Sequence, residues 1–393
     1  MKVAVYSGNI PSTTFIEILI EGLSNAGFEI YLFGKKTKDV KYNSNVRVFP
    51  TPEAGSKLFL FTLKESLKLL LRNPKNFSKI LKKIYSKKNE FRSFVRDAGL
   101  ILPIINNTPD IFHMQWAKVI QRYPELFELL DCKFALSLRG AHINYSPLND
   151  AKLANAYKKY FPLINGFHAV SENISKEAEK YGAERKKIKV IHSSVKSDLL
   201  KKESISYANE DILKIISIGR FHWKKGYHYA LDAMKALKDE SINFEFTIVA
   251  QGEMPEEIVF MINDYQLSEH VKIINGLPYE SLIDKLCKSH ILILPSVEEG
   301  IANVVLEAMA AGVPVLTTDC GGMDEVVTDK LNGYIIPVRD PEMIVRKIKE
   351  FIDSSDETKN KIKSNARTVI QKDFSREKQI REFREFYESM SAG

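Results

Sequence analysis

Glu299 and Glu307 stand eight positions apart in the stretch Ser296–Ala311, SVEEGIANVVLEAMAA. The apolar run Ile291–Leu294 reads as a buried strand ending at Pro295. Beyond Gly300 the spacing predicts a helix over Asn303–Ala311, stopped by Gly312 and Pro314. Glu299 then belongs to the loop leaving the strand, and Glu307 lies about one turn inside the helix. Gly300 and Ile301 lead into the first free N–H groups of that helix, near Ala302, Asn303 and Val304, which point into the same crevice. Two carboxylates suited to sugar hydroxyls thus flank a seat for phosphate, a combination that suits a nucleotide-sugar. Helix-end charges are the plainer reading of such a pair. Glu298 is the neighbouring alternative, but it lies nine residues from Glu307 and does not directly precede Gly300.

A second group supplies cations. Gly219-Arg220-Phe221-His222-Trp223-Lys224-Lys225-Gly226 follows a strand pattern and precedes a helix pattern. Gly219 permits a tight turn, and a guanidinium and an ammonium beside a helix N-terminus make a strong diphosphate clamp. Breaking a glycosidic bond to a diphosphate builds negative charge on the leaving oxygens. Fixed donors in a water-poor cleft stabilise that charge by roughly 3–4 kcal/mol each. There is no Asp-x-Asp motif, and the eight histidines show no metal-ligand spacing, so metal-independent chemistry without a cofactor is expected. Ile248–Glu253 is a strand ending in a glycine turn, with Gly252 and Glu253 at its tip, and Gly321-Gly322 permits close backbone approach to a ligand.

These groups need parallel sheets to position them. Strand patterns fall at Lys2–Tyr6, Glu29–Phe33, Val46–Phe49, Ile111–Met114, Phe134–Leu138, Gly166–Val170 and Lys189–Ile191. Helical stretches fall at Thr13–Ala26, Pro124–Asp131, Ala151–Phe161 and Ile174–Tyr181. A second series has strands at Lys214–Ile218, Glu245–Ala250, Val271–Ile274, Ile291–Leu294, Val313–Thr317 and Gly333–Ile336. Alternating strands and helices mean an α/β fold of two Rossmann-like, doubly wound parallel-sheet domains. The expected division is 1–195, a polar hinge over 196–212, a second domain over 213–372, and a helix over 373–393 with an aromatic stripe. Ligand then sits where the carboxyl ends of the two sheets face each other.

At 393 residues there is room for two domains, and 44% apolar with 27% charged residues is the composition of a globular protein. Cys132, Cys287 and Cys320 are far apart, which makes a reducing cytoplasm the expected compartment. MKVAVYSGNI is patterned as a strand rather than a leader, and no apolar run approaches a membrane span. The net charge of +7 is uneven: 57–97 holds twelve Lys or Arg against three acids, a local +9 that leaves about −2 elsewhere. Within it Phe77, Ile80, Leu81 and Ile84 recur at helical spacing opposite Lys79, Lys82, Lys83 and Lys87, and Leu58–Leu71 is a more apolar stretch. An interfacial helix pair on an anionic membrane surface would read this way, as would a core-packed helix with a basic outer face. No nucleic-acid module accompanies the charge.

In the first domain, Gly8 sits in a hydroxyl-rich loop, Ser7–Thr14, that enters a helix. His113 ends a buried strand and packs there. Arg139 and His142 leave another strand end, Ser137-Leu138-Arg139-Gly140-Ala141-His142.

The run EEGIANVVLEAMAAGVPVLTTDCGG resembles the Glu-x7-Glu segment of retaining GT-B glycosyltransferases of family 4, also called group 1. GR-x4-KG resembles that family's diphosphate-binding pair. The resemblance is specific over about 60 residues of the second domain and faint in the first. It implies that Arg220 and Lys225 neutralise the leaving nucleoside diphosphate, that Glu307 takes the ribose hydroxyls, and that Glu299 takes those of the transferred sugar. It also implies a base seated near Gly252 and Glu253, a closing helix that crosses back onto the first domain, and a leaving phosphate that itself deprotonates the acceptor. The stretch PSTTFIEILIEGLSNAGFEIYLFG resembles the exopolysaccharide and colanic-acid subgroup, although this chain has Gly8 where many members have a glycine pair. Arg139 falls where many relatives have an active-site histidine, and His142 comes three residues later; either could face the donor sugar.

The expectation is therefore an enzyme that moves a sugar from a nucleoside-diphosphate sugar to a glycan or lipid-linked acceptor. It would act in the cytoplasm, peripherally on the inner face of the membrane. A UDP-sugar epimerase of the same architecture and a non-catalytic sugar-nucleotide-binding protein are the alternatives.

Overall fold

The computed structural model describes residues 1–85, 90–205 and 211–391. Residues 86–89 of the basic segment (Lys87 among them), 206–210 of the hinge and 392–393 of the closing helix lie outside the described residues. The chain divides into two compact units, Met1–Ile191 with Ile380–Gly393, and His192–Gln379.

The strands of the first unit are β1 (Lys2–Tyr6), β2 (Gly8–Ile10), β3 (Glu29–Lys36), β4 (Val46–Thr51), β5 (Ile111–Met114), β6 (Lys133–Leu138), β7 (Gly166–Ala169) and β8 (Ile188–Val190). They form one parallel sheet in the order β2-β3-β1-β5-β6-β7-β8, with β4 also paired to β3. Its inner strands are buried along nearly their whole length, as parallel strands covered on both faces must be. The loop expected around Gly8 is partly strand: Gly8 pairs with Gly34, where a Cβ would sit 2.6 Å from the Gly8 carbonyl oxygen. The expected helix over Pro124–Asp131 is instead two short ones, Val119–Arg122 and Leu126–Leu129, on either side of Pro124, which offers no N–H to a continuous helix.

Helices α1 (Thr14–Asn25), α2 (Gly55–Arg72), α3 (Pro74–Tyr85) and α4 (Phe91–Asn106) belong to this unit. The apolar stripe of α3 faces the core: Ile80 and Ile84 are buried, with Phe77 and Leu81 packed against the same cluster. That packing fits the second of the two expected readings, a core-packed helix with a basic outer face. Helix α2 is the opposite case. Its inner face buries Leu58, Thr62, Glu65 and Leu69, while Phe59, Leu60, Leu63, Leu67, Leu70 and Leu71 are 39–84% exposed. Thr62 donates to the Leu58 and Val95 carbonyls at 2.8 and 3.2 Å. Glu65 accepts from the Asn106 amide at 2.8 Å and pairs with Lys68 at 2.5 Å. Thr62 and Glu65 of α2 are thus satisfied inside, while Leu60, Leu63, Leu67, Leu70 and Leu71 stand outside.

The closing helix, Arg376–Ser391, places Phe383, Phe386, Tyr387 and Met390 against Val3, Val5, Leu19 and Leu23. Gly166 makes room for it, since a Cβ there would lie 2.5 Å from Met390 Sδ.

The second unit contains β9 (Leu213–Arg220), β10 (Phe244–Gln251), β11 (Val271–Ile274), β12 (Ile291–Leu294), β13 (Val315–Thr318) and β14 (Tyr334–Ile336), with helices α5 (Tyr227–Asp239) and α6 (Asn303–Ala311). The sheet order is β11-β10-β9-β12-β13-β14, all parallel. Winding reverses between β9 and β12, so a crevice opens beyond their carboxyl ends. Residues 196–205, expected as part of a polar hinge, are packed into this unit. Leu199 is buried, the Ile205 N–H donates to the Cys287 carbonyl at 3.0 Å, and the Ser204 hydroxyl donates to the Gly312 carbonyl at 2.6 Å.

Candidate functional site

The switch point of the second sheet is where the cations and carboxylates meet. After β9 the chain makes one tight turn, Trp223–Lys225, closed by Gly226 at φ 63°. Gly226 must be glycine on two counts: its left-handed backbone, and the Pro295 carbonyl oxygen that lies 2.1 Å from where a Cβ would be. The Val297 N–H donates to the Lys224 carbonyl at 2.8 Å, pinning the loop after β9 to the loop after β12. A third loop braces the second. Gly321, at φ 63°, passes so close that a Cβ would stand 1.8 Å from the Glu299 carbonyl oxygen, and the Gly322 N–H donates to the Gly300 carbonyl at 2.8 Å.

Within this frame Lys225 Nζ lies 2.6 Å from Glu299 Oε1, Lys224 Nζ lies 3.5 Å from Glu299 Oε2, and the Ser296 hydroxyl donates to Glu299 at 3.1 Å. Lys224 also pairs with Glu298 at 3.3 Å. Burial works against charge on Glu299, but Lys225 and Lys224 outweigh it, and the carboxyl is held below the ordinary carboxylate range. Gly219 forms the floor under the lysine: a Cβ there would lie 3.0 Å from Lys225 Cε and 2.9 Å from the Tyr227 hydroxyl.

Arg220 ends β9, is exposed and has no ion-pair partner among the described residues. Glu307 lies inside α6 with its carboxyl hydrogen-bonded to the Tyr279 hydroxyl. Burial pushes its pKa up to about 7 against the pull of Tyr279 and Lys196. Lys196 stands 4.3 Å from the Tyr279 ring centroid. Lys225 and Glu299 are therefore in direct contact, while Glu307 has a separate set of partners and the Arg220 guanidinium has no ion-pair partner among the described residues.

The N-terminus of α6 differs from expectation in one respect. The Ala302 N–H is turned to Met323 Sδ at 3.4 Å, because the braced third loop brings that sulfur beneath it. The N–H groups of Asn303 and Val304 have no partner among the described residues. Gly300 is buried and Ile301 half-buried. Gly252 turns at φ 107° after β10, and Glu253 is exposed beside it. The Gln251 carbonyl accepts from the Phe221 N–H at 2.9 Å, which ties that turn to the loop after β9.

In the first unit Arg139 and His142 lie just past β6. The Arg139 guanidinium stacks over Phe15 at 4.6 Å and donates to Gln115 Oε1 at 3.1 Å; the His142 ring lies 5.3 Å from that of Trp116. His113 is fully buried between the Tyr387 hydroxyl at 2.7 Å and the Ser137 hydroxyl at 2.9 Å, and burial pushes its pKa down to about 3. It is a neutral packing residue. Lys224, Tyr279, Lys196, Gln115 and Trp116 belong to these clusters without having been singled out from the sequence. The only signals were the Lys224-Lys225 doublet and the position of Gln115-Trp116 directly after a strand. Among the described residues no three His, Cys, Asp or Glu side chains are grouped to hold a metal ion, and no helix is long and apolar enough to cross a membrane.

Residues 200–369, most of the second unit, match the family described as glycosyl transferases group 1. Two relatives bear on it. One is an Escherichia coli K12 protein, WcaL, whose name provisionally assigns it as a glycosyltransferase of colanic acid biosynthesis. It is 28% identical over 205 residues, covering 51% of this chain and 50% of that one. The other is the amylovoran biosynthesis glycosyltransferase AmsK of Erwinia amylovora, 26% identical over 267 residues and covering 63% and 64% of the two chains. The chain thus matches about half to two-thirds of the length of these relatives. Among solved structures, Anabaena HepE in complex with UDP and glucose superposes with a TM-score of 0.70 at 16% identity, over 99% of this chain and 100% of that one. Two Rossmann-like parallel-sheet units, with the last helix returned to the first, make this a GT-B fold.

Proposed function

We propose that the protein is a retaining, metal-independent glycosyltransferase of surface polysaccharide biosynthesis. It moves a sugar from a nucleoside-diphosphate donor to a glycan or lipid-linked acceptor. The observation that carries this reading is the contact of half-buried Lys225 with buried Glu299 at the switch point, with Lys224 also against Glu299 and exposed Arg220 at the end of β9. When a diphosphate-linked sugar occupies the crevice, Lys225 bridges its phosphate oxygens and Glu299, while Arg220 supplies the second cation. Glu299, freed of part of its pairing, accepts from sugar hydroxyls. Departure of the sugar raises the charge on the diphosphate, and the two cations bind that charge more strongly than the ground state, which is what lowers the barrier. The Asn303 and Val304 N–H groups offer further donors, and Glu307, once ionised, an acceptor for ribose. That HepE was solved with UDP supports a nucleotide donor. Mixing the protein with sugar nucleotides and an acceptor, and following nucleoside diphosphate release, tests the reading. No release with any donor, together with unchanged donor binding in Glu299→Ala, would overturn it. Product from donor alone would instead favour an epimerase.

We also propose a peripheral position on an anionic membrane in the cytoplasm, carried by the outward leucines of α2. Large apolar residues exposed in a row, rimmed by Lys57, Lys64, Lys68 and Arg72, fit acyl chains beneath anionic headgroups.

A further inference from the structure

Unit 1 carries a second cluster that the reading above leaves without a chemical task. Phe15 comes from α1, Gln115 and Trp116 follow β5, and Arg139 follows β6. The Phe15 and Trp116 rings meet edge to face at 6.1 Å. The Arg139 guanidinium lies over Phe15, and no carboxylate among the described residues is within ion-pair distance of it. Its Nε is buried with no hydrogen-bond acceptor. Gln115 is fully buried; its Oε1 accepts from Arg139 at 3.1 Å and from the Ser137 hydroxyl at 3.4 Å, which fixes the amide orientation. Its Nε2 is then a second sealed donor with no acceptor. Trp116 and Arg139 are themselves only half-buried, so the cluster is reachable from the surface.

A protein interior rarely tolerates one uncompensated cation and two orphaned donors side by side. The missing partner is an anion that accepts hydrogen bonds, and the partly exposed indole beside it offers a face to sugar C–H groups. We propose that this cluster binds a uronate sugar, with the carboxylate against the planar edge of Arg139 and the Gln115 amide, and the ring on Trp116. A planar carboxylate matches the guanidinium fork. A phosphate dianion would meet a single cation here. The proposal rests on the glycosyltransferase reading, and names the substrate class that its first unit selects.

The test is a titration of the intact chain with methyl glucuronoside against methyl glucoside, and of UDP-glucuronate against UDP-glucose. The acid sugar is expected to bind at least about tenfold tighter in one of the two pairs, the scale of a charged hydrogen bond. A preference confined to the free glycoside assigns the uronate to the acceptor, and one confined to the UDP-linked form assigns it to the donor. Arg139→Gln should abolish the preference while UDP binding persists. Arg139→Lys, which keeps the charge and loses the fork, should lose most of it and covers the case in which Arg139→Gln does not fold. Equal affinity for acid and neutral sugars in both pairs, a preference that survives Arg139→Gln, or inorganic phosphate competing as well as glucuronate would each overturn the inference. Any of these with nucleotide binding intact leaves the glycosyltransferase reading standing, whereas absence of binding to every nucleoside diphosphate strikes that reading instead.

Discussion

Lys225 Nζ and Glu299 Oε1 sit 2.6 Å apart, the carboxylate buried and the lysine half-buried, with Lys224 Nζ 3.5 Å from the other carboxylate oxygen. The lysine side chains order the carboxylate, and the carboxylate keeps two like charges close together. Removing one member therefore differs from removing both. Lys225→Met should cost about 2–4 kcal/mol of stability, since it leaves Glu299 with Lys224 as its one cation and the Ser296 hydroxyl. The double variant Lys225→Met/Glu299→Gln should recover about 1–3 kcal/mol of that. Urea unfolding of the singles and the double measures the coupling, and simple additivity would show that the pair is not a unit. Turnover should drop about 10²- to 10³-fold in Lys225→Met.

Glu307 gives a pH signature of definite sign. Its folded pKa is raised to about 7 by burial, above the unfolded value of 4.5. Between those values the folded state holds the proton and the unfolded chain releases it. Stability therefore falls as pH rises through that window, by about 3 kcal/mol in all, and levels off above it. Glu307→Gln should flatten the decline. Urea midpoints from pH 4 to 8 for both proteins check this, and parallel curves would remove Glu307 as the cause.

Two of the glycines at the site should behave differently on substitution. Gly219→Ala meets the mobile end of Lys225, at 3.0 Å, and the Tyr227 hydroxyl at 2.9 Å. It should fold and weaken nucleotide binding about tenfold by shifting the ammonium. Gly321→Ala meets a backbone carbonyl at 1.8 Å in a left-handed conformation, and should destabilise the second unit by more than about 2 kcal/mol. Thermal melting and nucleotide titration separate the two effects.

The two basic helices also separate. Leu63→Glu and Leu67→Glu replace residues that are 48% and 52% exposed, and should leave unfolding within about 0.5 kcal/mol of wild type while abolishing flotation on anionic liposomes. Ile84→Asp, on the buried stripe of α3, should instead destabilise by more than about 3 kcal/mol. Flotation retained by the leucine variants would return α2 to ordinary surface.

The sequence made the sheets legible where strands were apolar and bounded by turn residues: Lys2–Tyr6, Val271–Ile274 and Ile291–Leu294 fall on the observed limits, as does helix Asn303–Ala311. What it concealed depends on packing between distant segments. Helix α4 was not expected, and it carries Gly99 and Pro103 in its interior. Gly99 is there because α2 crosses so closely that a Cβ would lie 2.8 Å from Leu58 Cδ1. The outward leucines of α2 defeated periodicity for a related reason: the pattern shows an apolar stripe but not that Thr62 and Glu65 satisfy their polar groups inside. At the site, Glu299 and Lys225 were visible as residue types. The loops that join them were not, since Gly226 against Pro295 and Gly321 against Glu299 are contacts between residues far apart in the chain.

The first unit is built from both ends of the chain, with the second unit inserted between Ile191 and Ile380. During synthesis the second unit emerges as one uninterrupted piece and can complete its core at once. The first must wait, with Val3, Leu19 and Leu23 lacking their aromatic cover, until Phe383 and Tyr387 leave the ribosome. Until then that apolar surface of the first unit stays open to water.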